Sequence, residues 1–387
     1  MTRVDGAWRT DPRTQAVCQA LTGAGFRALF VGGCVRNALL GRPVADVDIA
    51  TDAEPGAVMA LAAAAGLHPV PTGIGHGTVT VVSDGRPFEV TSFRRDVETF
   101  GRHATVAFST DLAEDAGRRD FTMNALYAEP DGSLVDPLGG LPDLRARRVC
   151  FVGDPERRIA EDFLRILRFF RIHAWYGDPA GGLDAQGLAA CAALQEGLDG
   201  LSRERVGAEI AKLLAAPDPA PAVAAMAATG ILARVLPGAD PTPLAPLVHL
   251  EAGGGLSPRW QRRLAALGAG EDWTDRLRLS RADARALAAT AAALAAGEPD
   301  AVAAYRHGAG PARDAALVRA ASTGSLPPPD LEAELARGGG AVLPVRAADL
   351  ALTGPAIGVA LRRLERRWIA SGLRLDAAAL LGEADGG

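Results

Sequence analysis

The stretch 30–52, FVGGCVRNALLGRPVADVDIATD, constrains this chain more than any other. An apolar run ends at Gly32 and Gly33, an arginine-bearing helical pattern follows, and Asp46 and Asp48 then stand one residue apart. Residues 26–31 read as a buried strand because the apolar run stops at a glycine pair. Residues 35–40 read as a short helix, with Gly41 placed for a left-handed C-cap. On a strand over 46–50, side chains alternate, so Asp46 and Asp48 share one face while Val47 and Ile49 share the other. Glycines let a backbone approach phosphate, and two carboxylates on one face can share a divalent metal, which points to phosphoryl chemistry on a nucleotide. A tight turn would by itself explain the glycines. Paired acids also occur on exposed strand faces, so the decision rests on the neighbouring chain.

A third acid comes from a hairpin. Residues 78–82 and 87–93 flank Ser83-Asp84-Gly85-Arg86, and Asp-Gly between two β-rich runs marks a turn. Glu89 lies between Phe88 and Val90, so it faces away from two apolar neighbours and can join Asp46 and Asp48. Around these elements, a helical pattern at 17–21 ends at Gly23 and Gly25. Another helix is capped by Thr51 or Asp52, with Pro55 in its first turn and Gly66 after its end. Arg94, Arg95 and Arg102 open a stretch with few regular signals that reads as a loop up to Asp111. Arg118-Arg119-Asp120-Phe121-Thr122-Met123-Asn124 then leads into an apolar segment and the turn Asp131-Gly132. Pro137, Gly139 and Gly140 interrupt the pattern at 136–140, with strands before them and helices after. From Pro155 the chain is helical, with strong amphipathic segments at 159–175 and 201–214. The remainder is rich in Ala, Leu and Arg and shows no repeat period. Its last clear helix, 357–370, carries Arg362, Arg363, Arg366, Arg367 and Trp368. This reads as a solvated face with one aromatic packed inward, the alternative being an RNA-contacting surface.

At 387 residues, two or more packed regions are expected, and a hydrophobic share of 48% fits a globular protein. No signal peptide pattern is present, and the alanine-rich run 286–296 is short and flanked by charge, so a cytoplasmic protein without a membrane span is expected. Cys18, Cys34, Cys150 and Cys191 lack zinc-site pairing and are too few for a disulfide scaffold, so reduced thiols are expected. A net charge of −5 argues against nonspecific coating of nucleic acid while leaving a local basic surface open. Almost all the positive charge is arginine.

The motifs GGCVRN, DVDIAT, RRDFTMNAL, DPLGGLPDL, EDFLRILRFFR and SRERVGAEIAKLL occur in the order found in the class II tRNA nucleotidyltransferase and bacterial poly(A) polymerase family. The chain resembles that family strongly over residues 28–214 and loosely beyond. The resemblance implies an α+β fold: a polymerase-beta-like nucleotidyltransferase sheet domain at 1–150, a helical neck with a base-reading motif at 151–215, and a helical, tRNA-binding body and tail at 216–387. It implies that Gly32, Gly33 and Arg36 hold the incoming triphosphate, consistent with amides and a guanidinium meeting phosphate oxygens. Asp46 and Asp48 match the ligands of Mg²⁺. Arg119, Asp120 and Asn124 match a motif contacting ribose and phosphate, with a helix-cap role as the alternative for Asp120. One departure is Asn37, where the family usually has Asp.

Glu161-Asp162-Phe163-Leu164-Arg165 resembles the family's base-reading motif. On a helix, Asp162 and Arg165 would lie three apart on one face. Cytosine and adenine each present an amino donor beside a ring-nitrogen acceptor, so one carboxylate and one guanidinium can pair with either and refuse guanine and uracil. Without the resemblance, such a pair reads as an ordinary surface ion pair. Arg168 matches a further arginine near the nucleotide, whereas Arg171, Arg203 and Arg205 are helix-packing or RNA-facing candidates.

The expected activity is template-independent addition of C, C and A to the tRNA 3′ end from CTP and ATP. The 3′-hydroxyl attacks the α-phosphate, Asp46 and Asp48 hold the metal, Glu89 assists, and pyrophosphate leaves. The alternatives are a poly(A) polymerase, an enzyme adding only CC or only A, and a noncatalytic RNA-binding relative. The run Gly75-His76-Gly77-Thr78-Val79 and the retained stretch 94–111 favour the CCA-adding branch. Retention of the acidic pair and of Asp162 with Arg165 speaks against a noncatalytic relative. A fused phosphohydrolase is unsupported, since no His-Asp dipeptide occurs. Monomer and homodimer are both compatible with the sequence.

Overall fold

Alternating apolar residues in the first third of the chain close into a mixed seven-stranded sheet, ordered β3-β4-β5-β2-β1-β8-β9. Its strands are β1 Leu29–Val31, β2 Asp48–Thr51, β3 His68–Gly73, β4 Thr78–Ser83, β5 Arg86–Ser92, β8 Tyr127–Ala128 and β9 Leu134–Val135. The pairing of β2 with β5 is parallel, and the others are antiparallel. The computed structural model describes residues 2–382 except 101–102, 269 and 271, with side chains described outside 96–106. Arg102 therefore lies outside the described residues. Backbone contacts divide the chain into two compact units, residues 1–205 with 228–231, and residues 206–227 with 232–387.

The sheet fills one side of the first unit's core. Leu29, Val31, Ala50, Phe93, Ala125 and Tyr127 pack together with almost no exposure. The helix Gly33–Leu39 leaves β1 directly, and Gly41 closes its end with φ 66°. Asp84 and Gly85 both take positive φ in the β4–β5 turn, as the Asp-Gly signal requires.

Three expectations are corrected. The first concerns β2, which begins at Asp48, so Asp46 stands in the segment leading into it. The alternation nonetheless persists, since Val47 and Ile49 are buried and Asp46 is exposed. The second concerns 94–111, read as a loop. It contains an antiparallel pair, β6 Arg94–Phe100 with β7 His103–Phe108, whose backbone groups pair across the two strands, and Ala104, Val106 and Phe108 carry a period of two in β7. The third concerns 159–175, which is two helices, Pro155–Glu161 and Leu164–Tyr176. Between them Asp162 is extended (φ −155°, ψ 104°), and its carboxylate accepts a hydrogen bond from the Leu164 amide at 3.1 Å. A short acid that bonds the following backbone competes with helix continuation. Asp162 and Arg165 therefore do not share one helical face.

An aromatic cluster seats the Leu164–Tyr176 helix. Phe121 lies 4.9 Å from Phe151 and 6.3 Å from Phe169, Phe151 stacks on Phe169 at 5.4 Å, and Phe121 and Phe151 form a β-bridge. These contacts fix the backbone after Asp120 against the helix, adding to ordinary burial through their ring geometry.

The second unit is helical and contains a buried ionic cluster. Glu251 accepts from Arg262 and Arg263, and Asp314 accepts from Arg259 and Arg262. Arg263 also donates to the carbonyl oxygens of Leu214 and Ala216, so it caps the end of the helix Arg203–Leu214. In the helix Pro355–Ala370, Leu364 and Trp368 are buried while Arg362, Arg363 and Arg366 are exposed. This is the solvated face with an inward aromatic. Among the described residues, no helix is long and apolar enough to cross a membrane. All four cysteines are free thiols.

Phe169 is fully buried at the centre of the aromatic cluster, so Phe169→Ala is expected to lower the unfolding free energy by about 3–5 kcal/mol. Equilibrium urea unfolding measures this, and a loss below about 1 kcal/mol would show that the cluster does not seat the helix.

Candidate active site

Parallel pairing places Asp48 of β2 opposite Glu89 of β5. Paired residues on neighbouring strands point to the same face, so these carboxylates are brought side by side, while Ile49 and Val90, the next pair, are buried on the other face. Asp46 stands exposed two residues before Asp48. Burial raises the Asp48 carboxyl to about 6. Glu89 and Asp46 add to the rise, and Arg119 opposes it. Like charges crowded in this way would be relieved by a cation. Among the described residues, no three His, Cys, Asp or Glu groups form a ready-made metal cage. Asp46 and Asp48 could hold a divalent metal ion together with substrate phosphates and water.

Guanidinium groups gather at the glycine turn. Gly32 takes φ 68° and ψ −120° at the start of the Gly33–Leu39 helix, a conformation that calls for glycine. A Cβ there would stand 3.7 Å from Nη1 of Arg119, and one on Gly33 would stand 3.8 Å from Nη2 of Arg36. Arg36 is only 7% exposed. Its Nη1 donates to Oδ1 of Asn124 at 2.5 Å, and its Nε and Nη2 donate to Oδ1 of Asn37 at 3.2 and 3.0 Å. Its guanidinium carbon lies 3.7 Å from the centre of the Tyr176 ring. Burial pulls this guanidinium below its ordinary range, opposed by Tyr176 and Asp120. Asn37 donates in turn to the Pro43 carbonyl at 3.0 Å. An ionised Asp could not make that bond, so here the departure from the family residue has a structural use.

Arg119 is held by residues that the sequence reading did not single out. Asp115, 1% exposed, accepts from Arg119 at 3.1 Å, from Arg118 at 2.6 Å and from the Tyr127 hydroxyl at 2.7 Å, and Arg119 Nε donates to the same hydroxyl at 2.9 Å. Burial pushes the Asp115 carboxyl up, but Arg119, Arg118 and Tyr127 together hold it below the usual carboxylate range. The available signal was the helical spacing from Asp115 to Arg118 and Arg119.

Asp120 is saturated by internal partners. One oxygen accepts from the Phe121 amide and from Nδ2 of Asn124, each at 2.9 Å, and the other accepts from Nε of Arg168 at 2.8 Å and from its Nη2. Burial raises its pKa, but Arg168, Asn124 and the Phe121 amide outweigh it and bring the group to about 2. Asp120, Asn124, Arg168 and Arg36 thus form one connected polar set.

The base-reading candidates are also engaged. Arg165 donates to Glu161 and to the Arg158 carbonyl, each at 2.6 Å, and to the Arg118 carbonyl at 3.2 Å. Arg158 donates to Glu161 and to the carbonyls of Arg118 and Arg119. Asp162 pairs instead with Arg205 at 2.7 Å. Asp162 thus sits in the helix break and Arg165 in the first turn of the helix after it, with separate partners.

Comparisons with known proteins bear on the family of the chain. The family described as "Poly A polymerase head domain" matches residues 28–150, and the one described as "Probable RNA and SrmB- binding site of polymerase A" matches residues 183–242. A CCA-adding enzyme of Geobacillus stearothermophilus is 42% identical over 224 residues, 57% of this chain and 54% of that protein. The mitochondrial CCA tRNA nucleotidyltransferase 1 of Mus musculus is 43% identical over 186 residues, 48% of this chain and 43% of that protein. The chain therefore spans about half the length of the curated relatives it matches. The crystal structure of the Bacillus stearothermophilus CCA-adding enzyme in complex with CTP superposes with a TM-score of 0.72 at 31% identity, covering 93% of this chain and 94% of that one. With that likeness over nearly the whole of both chains, the chain belongs to the class II CCA-adding enzyme family.

Proposed function

We propose that this chain adds C, C and A to the 3′ end of tRNA from CTP and ATP without a nucleic-acid template, releasing pyrophosphate. The observation that carries this reading is the gathering of two opposite charge sets at one turn. Asp48 and Glu89 lie in register on the sheet with Asp46 beside them, while Arg36 and Arg119 converge on Gly32 and Gly33. That is the charge pattern needed to grip a triphosphate and activate a hydroxyl next to it. Members of the family have been crystallised with CTP and with ATP.

In this reading Asp46 and Asp48 hold Mg²⁺, as their crowded charges favour, and Glu89 stands beside them to assist the attacking hydroxyl. When bound, the metal polarises the α-phosphate and lowers the pKa of the 3′-hydroxyl. Gly32, Gly33 and Arg36 receive the triphosphate oxygens, with Arg119 adding a second guanidinium. Asn124 orients Arg36, and Asp120 holds Asn124 and Arg168 so that ribose and phosphate meet fixed groups. Asp162 and Arg165 select cytosine and adenine, and the base joins or displaces their present contacts with Arg205 and Glu161. Residues 1–150 serve as the catalytic head, 151–215 as the base-reading neck, and 216–387 as the tRNA-binding body and tail, in a cytoplasmic enzyme.

Incubating purified protein with Mg²⁺, a tRNA lacking its terminal CCA and each labelled nucleotide tests the reading. Ordered incorporation that stops after CCA is expected. Open-ended AMP addition to arbitrary RNA would support a poly(A) polymerase instead, and no incorporation would support a noncatalytic relative.

Asp46→Ala and Asp48→Ala are each expected to abolish addition while the melting temperature and tRNA binding stay close to wild type. Parallel loss of folding would make these acids structural.

For the arginine side, Asp115→Asn is expected to lower kcat/KM for CTP and ATP on the order of tenfold or more, because it weakens charge-assisted bonds to Arg119. Unchanged kinetics would remove Arg119 from the reacting site.

A further inference from the structure

Arg36 is a buried cation whose hydrogen-bond acceptors are neutral. A guanidinium has five N–H donors. Three of those on Arg36 go to the amide oxygens of Asn37 and Asn124, and the Tyr176 hydroxyl is a further neutral polar neighbour. A guanidinium held only by neutral partners keeps its charge for a phosphate. Nη2 stands beside Gly33, where the missing side chain leaves it open. The asparagines hold the edges of the guanidinium, and its face rests on Tyr176 at 3.7 Å. A ring face and a neutral hydroxyl stabilise a poorly solvated cation without cancelling its charge, whereas a carboxylate partner would neutralise it and occupy the edge that an incoming anion needs.

Tyr176 is the last residue of the Leu164–Tyr176 helix, which also carries Arg165 and Arg168. Arg42 anchors the helix end, since it donates to the Trp175 carbonyl and its guanidinium lies 5.0 Å from the same Tyr176 ring. One helix therefore meets the cradle twice, at Arg168 through Asp120 and at Tyr176 through Arg36.

We propose that Tyr176 is a positioning residue for Arg36, fixing its plane for the triphosphate, so that the helix reading the base also sets the phosphate grip. This rests on the nucleotide site proposed above. Tyr176 acts through Arg36 and touches no reacting atom.

Calorimetric titration with inorganic tripolyphosphate and with CTP, each with Mg²⁺, tests the inference on the full chain. Tyr176→Leu is expected to weaken both probes by a similar factor, roughly 5- to 30-fold, and Tyr176→Phe, which keeps the ring face, to restore affinity. With tRNA, the KM for CTP and ATP should rise in Tyr176→Leu while kcat changes little. The double variant Arg36→Met with Tyr176→Leu should bind no more weakly than Arg36→Met alone. Unchanged affinity in Tyr176→Leu, equal weakness in Tyr176→Phe, or additive losses would each overturn the proposal. If Tyr176→Leu fails to fold, Tyr176→Trp decides, with near wild-type affinity supporting the proposal and clear weakening overturning it. A wild-type chain that binds neither probe would sink the nucleotide site itself. Binding that falls in Arg36→Met but not in Tyr176→Leu overturns only the role of Tyr176.

Discussion

The carboxylate of Asp120 is the point on which the rest of the site depends. It is nearly buried, and each oxygen accepts from two donors supplied by Phe121, Asn124 and Arg168. In a low-dielectric setting such a group is costly if unpaired and strongly ordering if paired. Its folded pKa of about 2 lies below the ordinary 3.8. The stabilisation it contributes is therefore present above about 3.8 and is lost as pH falls toward about 2. Throughout the neutral range Asp120 stays ionised and Arg168 stays attached. Through Asn124 the same carboxylate reaches Arg36, so the neck helix and the phosphate cradle share one anchor.

Around that anchor the charges are sorted by task. Carboxylates with an outward role, Asp46 and Glu89, are exposed, and Asp48 is half-buried between them and Arg119. The carboxylates of Asp115 and Asp120 are buried and spend themselves on orienting arginines. Arginine suits this arrangement better than lysine, because a planar fork can bond an orienting acid along one edge and present another edge to phosphate. Nearly all of the chain's basic residues are arginine, a bias that reads as compositional until these contacts are seen. The aromatic cluster of Phe121, Phe151 and Phe169 gives the backbone behind Asp120 its rigidity.

Much of this was legible in the sequence where short-range rules apply. Period-two alternation placed Asp46 and Asp48 opposite Val47 and Ile49, and the Asp-Gly turn brought Glu89 onto a strand that pairs with β2. The α+β division also followed from the change in hydrophobic period. What escaped was set by partners distant in the chain. Asn124 lies 88 positions from the Arg36 it orients, and Asp120 lies 48 from Arg168. The helix break at Asp162 was hidden because its apolar spacing continues across 159–175, while the cause is one side chain bonding the next turn's backbone. Tyr176 reads as an ordinary helix-end aromatic until the fold brings Arg36 beneath it.

The central claim is that the Asp120 carboxylate orders both the neck helix and the phosphate grip. Asp120→Asn keeps the shape and the bonds to Phe121 and Asn124, but it can turn an amide donor toward the two donors of Arg168. Measured as CTP affinity in Mg²⁺ on protein shown to be folded at the assay temperature, the substitution is expected to weaken binding on the order of tenfold or more. Wild-type affinity in folded Asp120→Asn would contradict the account.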